Sequence, residues 1–419
     1  MWASENHGIF LGRLSTRRNQ VASMGGDVED LEFFHRKISD CFSNLLPSSQ
    51  KGRHNHAQSY QQKPPISESA AASDASTSAS VATETAATEA LLSIGWLREL
   101  LDVFLCCEAE FKVVLMGREP SHLVKSPLDK LIPELLDRYV KALDICNAIT
   151  HGVEAIRHVQ KQAEIVVSAF EQKPFTDGQS LRARKALTSL LTSIVVAEEQ
   201  GNRSKSTNER SWSSGRRSGS STSEKDRPPA NFRSLSWTVS TNWSAAKQIQ
   251  AICSNLYAPR GGESTGLAMT VYTMSVVLAF VMWALVSAIP CQDRNGLPAH
   301  ISLPKQSGWA KIMCGLQEKF AEDWKKKVKR GAAGLMDEVV KVEKAAQSLI
   351  DLLDGSQSSM EAMQELEVAA QVAELAETCQ RMEEGLGPLQ LRIREVFHRI
   401  VMSRAELLDK AAEASMQSE

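Results

Sequence analysis

The chain has 419 residues, of which 42% are apolar, 6% aromatic and 23% charged, and its formal net charge is −2. This composition is typical of a folded protein, so it excludes wholesale disorder, a collagen-like repeat and a small disulfide-built scaffold. A net charge near zero argues against a dedicated nucleic-acid-binding protein, which usually has a strong basic excess. Length alone permits about two or three domains.

The N-terminal part, 1–47, contains one amphipathic helix. Apolar residues recur at spacings of three and four over 28–46, which predicts a helix with one buried face, and Pro47 ends the pattern. Residues 48–90 are rich in Ser, Ala and Thr and contain almost no large apolar side chain. We predict that this insert is disordered, because it buries too little surface to offset the entropy of ordering.

Residues 91–199 are predicted to form a region of helical hairpins. One helix runs from about Leu91 to Gly117, a second covers about 128–171 with a candidate bend at Gly152, and a third ends near Glu199. Short links favour antiparallel neighbours. A second linker, 200–246, is basic and serine-rich and is also predicted to be disordered, up to a short helix within 243–256.

The segment 247–308 centres on an uncharged stretch, 267–289. As a helix it would span about 34 Å, enough for a hydrocarbon core of about 30 Å. Two interpretations stay open, a membrane span and a central helix buried by the other helices. The flanks carry equal numbers of basic residues, so the positive-inside rule gives no orientation.

The C-terminal bundle, 309–413, is predicted to contain helices at about 309–330, 333–354, 360–385 and 388–413. No stretch of the chain alternates as a strand requires. The sequence therefore predicts an all-α protein, a multi-helix bundle of antiparallel hairpins with disordered linkers and one long apolar helix.

One basic run offers a candidate membrane contact besides 267–289. Basic side chains can bind anionic lipid, although a solvated helix end is the simpler interpretation. The run comprises Lys325, Lys326, Lys327, Lys329 and Arg330.

Two short patterns invite a chemical interpretation. His151, Glu154 and His158 share a helix face and could bind zinc, but no fourth ligand is evident, so an exposed polar face is favoured. The glycine-rich stretch 261–266 precedes an apolar helix but lacks the lysine of a phosphate-binding loop. We interpret it as a helix entry capped by one of its hydroxyl residues. We assign no catalytic, cofactor-binding or metal-binding residue.

The eight cysteines are scattered along the chain without a Cys-x-x-Cys pair. Most lie at apolar positions of helical patterns, where free cysteine behaves as a small hydrophobic residue. Cysteines placed in this way favour a reducing compartment over a disulfide framework. The N-terminus also lacks the apolar run of a signal peptide. We expect synthesis in the cytosol and interpret the adjacent Cys106 and Cys107 as core packing rather than as a redox site.

Several long stretches resemble a plant-specific family, the BYPASS-related, Roh-type family. The N-terminal FLGRLS-type motif fits the Roh-type branch best. The stretches are GIFLGRLSTRRNQ (8–20), WLRELLDVFLCCEAEFKVVLMGREP (96–120), LDRYVKALDICNAITHGVEAIRH (136–158), FRSLSWTVSTNWSAAKQIQAICSNLYAPRGGES (232–264), VMWALVSAIPCQDRNGL (281–297) and VAAQVAELAETCQRMEEGLGPLQLRIREVFHRIVMSR (368–404).

The resemblance implies a helical protein without known catalytic residues, often with one membrane-spanning segment. For the Roh-type branch it implies association with an exocyst subunit, in polarised secretion and the deposition of cell-wall material. For the BYPASS branch it implies developmental regulation through a small mobile signalling metabolite. We therefore expect a non-enzymatic adaptor that binds an exocyst subunit, in the cytosol and associated with membranes. The alternative is a developmental regulator of a small mobile signalling metabolite, anchored in a membrane as a single-pass protein if 267–289 spans it.

Overall fold

The structure is a computed structural model that describes residues 28–46, 90–171, 177–199, 243–259, 266–291, 300–305, 307–328, 335–355 and 362–417. Within these ranges every regular element is a helix, which confirms the predicted all-α class. The two linkers predicted to be disordered, 48–90 and 200–246, lie almost entirely outside the described residues.

Most of the predicted helices lie within a few residues of their expected bounds. In chain order they are α1 (28–43), α2 (Ile94–Met116), α3 (Pro120–Leu123), α4 (Leu128–Glu171), α5 (Asp177–Glu199), α6 (Ala245–Cys253), α7 (Leu267–Ala288), a 3₁₀ turn (Gly308–Ala310), α8 (Lys311–Val328), α9 (Asp337–Gly355) and α10 (Ala362–Gln417).

Helix α7 lies inside the bundle, where α2, α4 and α6 pack around it. In the described part of the chain it is the one helix long and apolar enough to cross a membrane. Of its most apolar 18-residue segment, 89% is buried inside the protein. Two of its hydroxyls are satisfied within the helix, since Ser275 and Ser287 donate to the carbonyls of Val271 and Trp283. This packing matches the interpretation of 267–289 as a buried helix.

Both ends of α7 depend on backbone geometry. Gly266 precedes the helix with a φ of 72°, a left-handed conformation that glycine adopts without strain, and it makes no side-chain cap. The two hydroxyl residues predicted to cap the helix, Ser264 and Thr265, lie outside the described residues. At the other end, the backbone N–H groups of Leu335 and Met336 donate to the carbonyls of Ser287 and Ala288. The chain entering α9 thus satisfies two terminal carbonyls of α7.

Gly152 allows the end of α7 to cross α4 at short distance. A Cβ atom at this position would lie 2.5 Å from Ile289 Cγ2 and 2.7 Å from the carbonyl oxygen of Pro290. The sequence offered Gly152 as a candidate bend within one helix over 128–171, and α4 does run from Leu128 to Glu171 as one helix. The bend itself stays a prediction. The glycine is required here for close approach.

Helix α10 is continuous over 56 residues. The prediction of two helices, 360–385 and 388–413, was wrong, because Gly385 and Pro388 interrupt the sequence pattern without ending the helix. Apolar residues on both sides of the proline are buried in the same core. Gly385 also leaves room for the side chain of Ile94 from α2. A Cβ atom added at Gly385 would lie 2.7 Å from Ile94 Cγ2. Tertiary packing thus outweighs the interior-proline cost of about 3 kcal/mol.

A buried arginine joins α6 to α4. Arg138 is 4% exposed, and its guanidinium donates hydrogen bonds to the carbonyls of Ile252, Ser254 and Asn255, at 3.1 to 3.3 Å. It also pairs with Glu134 one turn earlier on α4. These bonds satisfy carbonyls at the C-terminal end of α6, which lack partners within that helix.

Candidate interaction surface

The residues considered as a zinc site do not converge on a metal position. His151, Glu154 and His158 are all exposed on α4. Glu154 instead accepts hydrogen bonds from Arg157 at 3.1 Å and from Gln390 of α10 at 2.7 Å. Among the described residues, no group of three or more potential ligands could hold a metal ion. The exposed polar face favoured from the sequence matches this arrangement.

The basic run begins at the C-terminal end of α8. Lys325 and Lys326 are exposed, and Lys326 Nζ lies 3.1 Å from Asp323 Oδ1. The neighbouring Trp324 packs against the apolar core. The side chain of Lys327 and residues 329–330 lie outside the described part of the chain. Contact of this run with lipid stays a prediction.

A polar network fixes the long helix α10 against α2. The fully buried Glu108 accepts hydrogen bonds from Ser403 and from Arg399, the latter at 3.2 Å. Burial raises the pKa of Glu108, while the contacts with Ser403 and Arg399 act in the opposite direction. Further along, Lys112 Nζ lies 2.6 Å from Glu406 Oε1. The contacts advance in the same order on both helices, so α2 and α10 run parallel.

Two further contacts extend this network along α2. Arg392 Nε lies 2.7 Å from Asp102 Oδ1, and Lys410 Nζ donates to the carbonyls of Leu115 and Met116. The last carbonyls of a helix need such partners. Because α4 and α9 pack against α10 as well, its rotation about its own axis is fixed, and one face is directed to solvent.

The outer face of α10 carries large apolar side chains that remain exposed. At about 100° per residue, four of them fall within about 40° of one another around the helix. We call these four residues the α10 stripe: Leu366, Leu391, Met402 and Met416, with exposed fractions of 73%, 67%, 56% and 80%. Single exposed apolar residues are ordinary on proteins, and these four are separated by 25, 11 and 14 positions in the sequence. The nearest two, Leu391 and Met402, are close enough for one partner helix to contact both.

Sequence reasoning missed the α10 stripe because it divided the helix at Pro388. The division placed Leu366 on one helix and Leu391 and Met402 on another, so their common face could not be recognised. A continuous helix would have been enough to find it, since a rotation of about 100° per residue fixes the face.

A groove between α4 and α5 is the second surface feature. Its volume is about 500 Å³, within the range of small-ligand sites, but it is partly open to solvent. Both signs of charge line it, with Lys161 and Arg182 as the cations and Glu164 as the anion.

Comparison with known proteins assigns the family. A family model described as "Protein ROH1-like" matches residues 1–411. The chain belongs to the ROH1-like family. This ROH1-like chain is 46% identical over 430 residues to Protein ROH1A of Arabidopsis thaliana, covering 99% of this chain and 98% of the relative. It is 41% identical over 332 residues to Protein ROH1D of the same plant, covering 77% of this chain and 82% of the relative. No solved structure matches it. The resemblance to the Roh-type family is confirmed.

Proposed function

We propose that this ROH1-like protein is a non-enzymatic adaptor that presents the α10 stripe to an exocyst subunit, in polarised secretion and deposition of cell-wall material. The observation that supports this function is the arrangement of α10. Its inner face is held by hydrogen bonds and ion pairs to α2, while its outer face exposes Leu391 and Met402 to solvent. The choice of the exocyst as the partner rests on the resemblance to the Roh-type branch.

A fixed helix is a favourable binding element because little conformational entropy is lost when it binds. Burying one Leu or Met side chain fully contributes about 1.5–3 kcal/mol. Leu391 and Met402 lie 11 residues apart, about 16 Å along the helix, so one partner helix can contact both. Binding energy at such surfaces is usually concentrated in a few side chains.

The experiment measures binding of the purified full chain to individually purified exocyst subunits by titration calorimetry. We expect Leu391→Glu and Met402→Glu each to weaken binding about tenfold or more, because a charge then replaces a buried apolar contact. Leu181→Glu is the matched control, since Leu181 is 70% exposed on α5. Equal affinity of all three variants and the parent, or no binding by the parent, would contradict the proposal.

The same proposal assigns membrane association to the partner and not to α7. A helix whose apolar side chains already pack against α2, α4 and α6 has no free apolar face for lipid. Alkaline carbonate extraction of a plant microsomal fraction should therefore release the protein. Retention in the pellet would favour the membrane-spanning interpretation of 267–289.

The alternative function, regulation of a small signalling metabolite, has one observation in its favour, the groove between α4 and α5. Lys161 and Arg182 would there bind an anionic group of a small molecule. Complementation of a plant mutant distinguishes the two functions. Loss of complementation with Lys161→Ala and Arg182→Ala, but not with Leu391→Glu, would favour the alternative.

A further inference from the structure

Three cysteines of α1 and α2 meet at the surface of the bundle. Cys41 Sγ lies 3.4 Å from Cys106 Sγ, and the Cys107 thiol is also hydrogen-bonded to Cys41. Cys41 and Cys106 are half-buried, whereas Cys107 is buried completely. The sequence predicted core packing for the adjacent pair, and this fits Cys107. It does not account for Cys106, which faces another thiol from a different helix.

The two helices hold these thiols together by several contacts. The rings of Phe34 and Phe111 pack at a centroid distance of 6.4 Å, and Lys37 Nζ lies 3.7 Å from Glu110 Oε1. The contacts run in opposite directions along the two helices, so α1 is antiparallel to α2. The 3.4 Å contact therefore lies within a packed pair of helices, one turn from an ion pair.

Cys41 is the nucleophilic member of the group. Hydrogen bonding with Cys107, followed by hydrogen bonding with Cys106 and the charge of Lys37, lowers the pKa of the Cys41 thiol to about 6, against the effects of burial and of Asp40. Burial and the neighbouring Cys41 raise the pKa of Cys106 to about 11. Cys41 is thus the most acidic of the three thiols and reaches the nucleophilic thiolate form most readily.

We propose that Cys41 and Cys106 form an oxidation-sensitive pair that a hydroperoxide converts into a disulfide. The Cys41 thiolate attacks the peroxide oxygen and becomes a sulfenic acid, while the O–O bond breaks and the leaving alkoxide takes up a proton to give an alcohol, or water from hydrogen peroxide. Cys106 then attacks the Cys41 sulfur, the S–O bond breaks, and water leaves with the thiol proton. Two thiols are oxidised and one peroxide is reduced.

The geometry favours Cys106 over Cys107 as the second cysteine. A disulfide requires a sulfur–sulfur distance of about 2.0 Å, so the two atoms must approach by about 1.4 Å. Both side chains are half-buried, whereas Cys107 is enclosed by the core. The bond would close a chain segment of about 65 residues that includes the insert 48–90, and it would link α1 covalently to α2. In a reducing compartment such a bond is transient, as expected of a sensor.

The test treats the reduced full chain with hydrogen peroxide and maps its disulfides by mass spectrometry under non-reducing conditions. We expect the Cys41–Cys106 linkage as the main product. Cys106→Ser should accumulate a sulfenic acid at Cys41 that dimedone traps, and Cys41→Ser should form neither. Cys314→Ser is the matched control, since Cys314 is also half-buried, and it should leave the linkage unchanged.

A second measurement uses the unsubstituted protein, so it does not depend on the folding of any variant. Near pH 6.5, iodoacetamide should alkylate Cys41 at least about tenfold faster than Cys314. The larger thiolate fraction of Cys41 raises its reaction rate more than the lower nucleophilicity of a more acidic thiolate reduces it. Equal alkylation rates, a main product joining Cys41 to Cys107, or a linkage between two chains would each overturn the proposal.

Discussion

Substitution of Gly152 by alanine distinguishes a buried α7 from one that leaves the bundle. Alanine favours a helix interior over glycine by about 1 kcal/mol, so Gly152→Ala would stabilise α4 if nothing approached it. In the folded bundle, however, the added Cβ would lie 2.5 Å from Ile289 Cγ2 and 2.7 Å from Pro290 O. Whether Gly152→Ala raises or lowers the free energy of unfolding therefore reports whether the end of α7 contacts α4.

The expected magnitude follows from the atoms that the new methyl group meets. The Ile289 side chain can rotate, but the Pro290 oxygen belongs to the backbone, so the crossing itself must widen. Overpacking of this kind costs about 1–3 kcal/mol. After subtraction of the gain in helix propensity, we expect Gly152→Ala to lower the free energy of unfolding by about 1–2 kcal/mol.

The assay is urea unfolding of the full chain, followed by far-ultraviolet circular dichroism. Gly315→Ala on α8 is the matched control, because an added Cβ at that helical glycine meets nothing within 4 Å. It should raise the free energy of unfolding by up to about 1 kcal/mol. If Gly152→Ala stabilised the protein as much as Gly315→Ala does, the close crossing of α7 over α4 would be refuted.

Two further substitutions test buried polar contacts. His35 is hydrogen-bonded to Thr273 at 3.0 Å, and burial lowers its pKa from 6.5 to about 4, so the folded state favours the neutral ring. Its contribution to the free energy of unfolding is complete above about pH 6.5 and is lost as the pH falls towards 4. In urea unfolding, the free energy of unfolding should therefore fall less steeply between these pH values for His35→Gln than for the unsubstituted protein. Arg138→Met should lower the free energy of unfolding by about 2–4 kcal/mol in the same assay, because three carbonyls around α6 lose their donor; an unchanged unfolding midpoint would contradict this assignment.

Local periodicity predicted most helices closely. The apolar pattern from 128 to 171 reproduces the bounds of α4, and the uncharged stretch reproduces α7. These predictions succeed because a helix with one buried face repeats every three to four residues, and that repeat is visible without knowledge of what covers the face. The pattern failed at Pro388, where the continuation of α10 depends on packing against other helices and not on local propensity.

The candidate sites depended more strongly on the tertiary structure. The common exposed face of His151 and His158 could be predicted from the sequence, because spacing on a helix is a local property. It could not bring Cys41 to Cys106, since the two lie on separate helices with the insert 48–90 between them. It also could not identify Gly152 as a crossing point, because the contacting atoms of Ile289 and Pro290 are distant in the chain.

The sequence by itself determined the all-α class, the bounds of most helices and membership of a plant family, because composition, periodicity and long similar stretches are properties of the chain alone. Only the tertiary structure decided what each apolar face meets. An uncharged helix has the same sequence signature whether lipid or protein surrounds it. In this protein, α2, α4 and α6 surround α7, and α2 fixes α10 so that its stripe is directed to solvent.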